Sequence, residues 1–198
     1  LDPLTLSGII ISHKHLDHAA DINVMMEAMT LGGKEKRGTV LVPADAVSGD
    51  DPAIYKYVRR YVDNIVLMKE RGKYRIGKIN ISTPLLHKHG VETYGLIFKV
   101  GGNTIAYITD TNYFPELAKS YKADIVIVSV LSVKPNPFDH LSITELKPLL
   151  AKIRPEKTIL THFGMWMLKA KPWVVAKELG RELNLNVIAA GDGMKIAI

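Results

Sequence analysis

The stretch Ser12-His13-Lys14-His15-Leu16-Asp17-His18 gathers three imidazoles and one carboxylate, the donor types that suit zinc and its first-row neighbours. His13 and His15 are two residues apart, so on an extended backbone they project to the same side and can grip one ion while Lys14 points away. Asp17 and His18 follow where the chain is expected to turn into a helix, and they face another direction. That divergence implies a second ion beside the first. One histidine after a strand is ordinarily a helix cap or a solvated side chain. Three of them with an aspartate, directly behind the apolar run Gly8-Ile9-Ile10-Ile11, call for a common task.

Other polar groups recur at the ends of expected strands, where α/β proteins build their sites. After His18, residues Ile22, Met25, Met26 and Met29 have helical spacing within 20–31, and Gly32-Gly33 ends that helix. The methionine stripe reads as core. Residues 39–43 read as a short buried strand, and Pro52 to Val62 as a helix whose Tyr55, Tyr57, Arg59, Arg60 and Tyr61 make a basic and aromatic face. A half-buried strand at 79–83 runs on into His87-Lys88-His89-Gly90. Two β-rich runs, 94–100 and 103–109, flank Gly101-Gly102 as a hairpin, and the second ends on Asp110. A short helix at 115–121 precedes the continuous apolar strand 124–128. Beyond it come the loop with Asp139 and His140, a capping box Ser142-Ile143-Thr144-Glu145 opening a helix to about Ile153, and a strand 158–161 that delivers His162. A helix 172–183, a strand 186–190, a turn at Gly191-Asp192-Gly193 and a strand 194–198 complete the order.

The composition narrows the chemistry further. With 198 residues and 47% apolar side chains the chain fits one globular domain, 1–198, with a real core. No apolar run approaches the roughly 18 residues of a membrane span, and the opening Leu1-Asp2-Pro3 is unlike a secretory leader. The expected location is the cytoplasm, with no membrane partner. Cysteine is absent, so His, Asp or Glu must hold any metal. Glutamine is absent too, a bias that fits a thermophilic source. The net charge of +6 would suit RNA or a phosphorylated substrate, although Glu35 and Glu70 interrupt the basic runs and solvated faces account for most of it.

The ordered set of H-x-H-x-D-H at 13–18, His89 in H-G-V-E-T-Y-G, Asp110 in A-Y-I-T-D-T and His162 in I-L-T-H-F-G resembles the metallo-β-lactamase fold superfamily of metal-dependent hydrolases. The resemblance covers Gly8 to Ile198. It implies an α/β fold, a four-layer αββα sandwich, in which a β-layer normally precedes the first motif, so the chain as given reads as lacking its N-terminal strands. It implies one ion on His13, His15 and His89, another on Asp17, His18 and His162, and Asp110 bridging them opposite a hydroxide. Two cations roughly 3.5–4 Å apart repel, which is why an anionic bridge is needed. Zinc is the default for so imidazole-rich a set, with manganese or iron as alternatives. His87 reads as a surrounding or solvated residue, and as the runner-up for the role of His89.

Asp139-His140-Leu141-Ser142 resembles a segment of the phosphodiesterase branches, where the histidine contacts phosphate and assists the leaving group. Asp17 and His140 are therefore the catalytic candidates, with Asp139 orienting His140. The tRNA-processing branch commonly inserts a long tRNA-binding arm between the lone histidine and the bridging aspartate. Here 110 − 89 leaves only 21 positions, so nucleic acid recognised by such an arm is disfavoured. The expectation is a binuclear hydrolase of a small phosphorylated substrate, most simply a phosphodiester. A lactone or ester hydrolase using the same hydroxide is the alternative, and a non-catalytic RNA- or metal-binding module a third reading. Oligomeric state is not legible.

Overall fold

The computed structural model describes residues 2–196, and the chain divides into two compact units, residues 1–86 with 91–94 and residues 87–90 with 95–198.

The first unit is built on a three-stranded parallel sheet of β1 (Gly8–Ile10), β2 (Thr39–Val42) and β3 (Asn64–Leu67), in that order. Ile11 continues the β1 ladder by donating its N–H to the Leu41 carbonyl at 3.0 Å, so the strand direction is held up to the histidine stretch. Helix α1 (Leu16–Ala19) follows at once, and α2 (Ile22–Met29) supplies Ile22, Met26 and Met29 to a core shared with Val40, Val42, Ile54 and Val58. Met26 and Met29 are fully buried and Met25 half-buried, so the stripe is core at Met26 and Met29, each contributing about 1.5–3 kcal/mol by burial. A hairpin of β4 (Gly72–Ile76) and β5 (Ile79–Thr83) completes this unit.

The helix expected over 52–62 does not form. Only Val58–Tyr61 winds, as a single 3₁₀ turn. The backbone before it is claimed by side chains: Asn23 donates to the Ala53 carbonyl and accepts from the Tyr55 N–H, and Arg59 puts two N–H groups on the Ile54 carbonyl at 3.1 and 2.7 Å. Side chains that satisfy peptide groups directly remove the need for a helical ladder.

In the second unit the strands run in the order β10-β9-β8-β7-β6. They are β6 (Leu96–Val100), β7 (Asn103–Ile108), β8 (Ile125–Ser129), β9 (Lys157–Thr161) and β10 (Val187–Ala189). β6 and β7 are antiparallel across Gly101 and Gly102, whose φ values of +57° and +90° suit the tight turn, and all other pairs are parallel. Four helices accompany them: α3 (Glu116–Ser120), α4 (Ile143–Ile153), α5 (Met165–Lys169) and α6 (Pro172–Leu183). The capping box of α4 is complete, with Ser142 and Glu145 each bonded to the other's backbone. Leu146, Leu149 and Leu150 of α4 and Leu117 of α3 are fully buried. Residues 194–196 form no strand, so the expected strand at 194–198 is not seen there, and 197–198 lie outside the described residues. Among the described residues no helix is long and apolar enough to cross a membrane.

Candidate metal centre

The donors fall into one cluster in each unit. In the first, the chain leaves β1 and stays extended through His15, whose φ and ψ are −58° and 147°, before α1 starts. The ring centroids of His13 and His15 are 4.9 Å apart and those of His13 and His18 4.0 Å, so two further imidazoles gather around His13. His13 is fully buried, and its Nδ1 lies 3.1 Å from the Ser12 hydroxyl. His18 Nε2 is 3.4 Å from an Asp17 carboxylate oxygen, and Asp17 itself is largely exposed.

In the second unit Asp110 stands two residues past the end of β7, and only 1% of it is exposed. His162 follows β9 immediately, with a left-handed backbone at φ +61°. His140 sits two residues before the Ser142 cap. His140 Nε2 and His162 Nε2 lie 3.3 and 3.4 Å from the same Asp110 oxygen, Oδ2, and the two rings stack at 5.4 Å. His89 is drawn in through its loop: Thr111 accepts from the Lys88 N–H and the Lys88 carbonyl accepts from the Asn112 N–H. His89, Asp110 and His140 each offer a donor atom, all within 4.8 Å of one another. A carboxylate with three imidazoles around it is a donor set that fits a first-row divalent ion. It also places His140 among possible ligands, beside the phosphate-contacting role expected for it.

The surrounding shell differs from expectation at two residues. Asp139 was expected to orient His140, but its backbone carbonyl takes the Nδ1 proton of His89 at 3.0 Å and its carboxylate accepts from the Asn112 amide. A carbonyl on Nδ1 fixes the tautomer and leaves Nε2 as the donor to a metal. His87 is only 4% exposed, not solvated. Its Nδ1 is 3.2 Å from the Asp110 carbonyl oxygen, which can only accept, so Nδ1 carries the proton and Nε2 of the neutral ring accepts from the Tyr121 hydroxyl at 2.7 Å. Burial lowers its pKa from 6.5 to about 4, against the opposing pull of the Asp110 carbonyl and carboxylate. Gly95 makes room for this pair: a Cβ there would stand 2.3 Å from the Tyr121 hydroxyl oxygen and 2.6 Å from His87 Nε2. Tyr121 and Asn112 escaped the sequence reading, because neither carries a motif and both act only through tertiary contacts.

The sequence profile described as Beta-lactamase superfamily domain matches residues 2–163. An uncharacterised protein of Methanocaldococcus jannaschii is 25% identical over 207 residues, which take in 100% of this chain and 76% of that protein. Among solved structures, the metallo-β-lactamase fold protein YhfI from Bacillus subtilis aligns with a TM-score of 0.79 and 19% identity over 98% of this chain and 78% of that one. A diphosphatase from the PhnP family aligns with a TM-score of 0.69 and 20% identity over 96% and 70%. These likenesses show the mixed α/β fold of the metallo-β-lactamase type.

Proposed function

Because the chain belongs to the β-lactamase superfamily domain family, we propose that it is a hydrolase working with two divalent metal ions on a phosphodiester. The proposed ligands are those the sequence resemblance assigns: His13, His15 and His89 for one ion, Asp17, His18 and His162 for the other, and Asp110 between them. Zinc is the proposed metal, and manganese and iron suit the same donors. When bound, such ions supply Lewis acidity and a water ionised near neutral pH.

The observation that carries the phosphodiester reading is His140 Nε2 at 3.3 Å from Asp110 Oδ2. An imidazole held beside the buried carboxylate can donate a proton or a hydrogen bond to a phosphoryl or leaving oxygen, where charge builds in the transition state. The Asp139 carbonyl meanwhile keeps the His89 ring in one tautomer. The PhnP-family likeness, a diphosphatase by its own description, supports phosphorus chemistry. A lactone or ester hydrolase is the rival, since attack on a carbonyl has no need of His140. A cytoplasmic location is proposed with it.

The test pairs elemental analysis with two substrates. Purified protein should hold two metal equivalents and hydrolyse bis-p-nitrophenyl phosphate. His140→Ala should lower that rate by about 10²–10³-fold and spare lactone hydrolysis. Equal losses on both substrates would remove His140 from the phosphodiester role, and hydrolysis of the lactone alone would favour the rival. Salt-sensitive RNA binding that survives chelation, with no turnover, would replace both.

A further inference from the structure

An open groove of about 630 Å³ lies in the second unit, walled by Val133, Pro135, Pro137, Trp166 and Ala170, with Lys134 on its lining. We propose that this groove is a stacking subsite for the nucleobase of a nucleoside phosphodiester, with Trp166 as its platform and Phe138 as the flanking ring. The proposal deepens the hydrolase reading and rests on it for the diester, while base binding itself stands on the groove alone.

Three observations carry it. First, the rings are displayed rather than buried: Phe138 is 55% and Trp166 54% exposed, although ring surface of this size gains most from being covered. The two rings lie near parallel, 29° between planes and 6.3 Å between centroids, so a flat ring laid on the indole extends an existing stack. Second, the groove and the candidate metal centre are braced by the same side chain. The Asn136 amide donates to the Ser132 hydroxyl at 2.9 Å and to the His140 carbonyl at 3.2 Å, and its oxygen accepts from the Phe138 N–H. Trp166 stands four residues beyond His162, on a helix whose cap, Gly164, donates its N–H to the Leu131 carbonyl at 3.1 Å. A base seated here is thus carried by the loops that carry His140 and His162. Third, the lining is chemically matched to a base on a phosphate. Its walls offer ring faces and proline edges, and the Asn136 amide is already engaged at both ends, which leaves stacking as the recognition. Lys134 adds a cation for a phosphate oxygen. Stacking without edge readout tolerates any base.

The probe is adenosine, which lacks phosphate and so needs no metal. The chain has two tryptophans, and Trp173→Phe leaves Trp166 as the sole indole. Adenosine should quench the fluorescence of that variant saturably, and ribose should not. Asp110→Asn in the same background should quench equally. By equilibrium dialysis with radiolabelled adenosine, Trp166→Ala and, independently, Phe138→Ala should each weaken binding about tenfold, the scale of one lost stack, with unchanged circular dichroism. Identical responses to adenosine and ribose, or unaltered binding in both alanine variants, would overturn the subsite. Turnover of bis-p-nitrophenyl phosphate without adenosine quenching removes the subsite and leaves the hydrolase, whereas quenching without any turnover removes the hydrolase and leaves a base-binding groove.

Discussion

His87 and Tyr121, 34 residues apart, share a 2.7 Å hydrogen bond in the buried interior of the second unit. The neutral imidazole accepts from the phenol while its other nitrogen donates to the Asp110 carbonyl, so Tyr121 is tied to the backbone of the proposed bridging carboxylate through one ring. Tyr121→Phe leaves His87 Nε2 buried and without this donor, at a cost of about 1–3 kcal/mol. Chemical unfolding of the variant should show that loss with an unchanged denaturant slope.

The same ring sets an acid limit on stability in chelated protein. Above pH 6.5 His87 is neutral whether the chain is folded or unfolded, so its contribution is complete. As pH falls below 6.5 the unfolded chain takes up the proton first, and stability drops until the folded ring also protonates at about 4. A displacement from 6.5 to about 4 corresponds to roughly 3 kcal/mol. Stability measured across this window should fall steeply in the parent chain and less in His87→Gln, and parallel slopes would contradict the assignment.

Asp124 provides a second pH dependence. Its carboxylate accepts from both the N–H and the hydroxyl of Thr104 at 2.7 Å, and these bonds, the side-chain one first, hold its pKa below the ordinary carboxylate value. Its stabilisation is therefore present above that ordinary value and is lost as pH falls through the lowered one. Thr104→Val removes the hydroxyl and should move the acid-unfolding midpoint to higher pH.

Asp110→Asn tests the metal assignment without removing bulk. Replacing the carboxylate that shares a donor set with His89 and His140 by a neutral amide should leave the protein folded and bind less than one metal equivalent. Hydrolysis should fall by at least about 10³-fold. Retention of two equivalents by plasma emission spectroscopy would show that this oxygen is not a ligand.

Much of the alternation of strands and helices was legible because Ile125 to Val128 is a continuous β-branched run and α4 carries its own start signal in the Ser142 and Glu145 box, whereas the short α5, which follows Gly164 with no side-chain cap, was not. The histidine cluster at 13–18 was legible because its spacing is local. The region 52–62 is no helix because Asn23, some thirty residues away, and Arg59, from within the region, satisfy its peptide groups, and no window of sequence reveals the Asn23 contact. β3 and β4 escaped because β3 offers only the three apolar residues Ile65, Val66 and Leu67, and β4 has just Tyr74 and Ile76 set between Gly72, Lys73 and Arg75. His87 looks in sequence like any polar loop residue, and the residues packed against it, Gly95 and Tyr121 among them, come from separate segments.

The left-handed backbone of His162 makes that position unusual under mutation. A side chain with a β-carbon is disfavoured in this conformation by roughly 1–2 kcal/mol, and asparagine and glycine tolerate it best. The customary ranking of replacements should therefore invert, with His162→Asn and His162→Gly melting above His162→Ala while none of the three keeps the imidazole. A lineage with no further use for the proposed ligand would drift toward those two residues here, so an asparagine or glycine at this site would mark its loss.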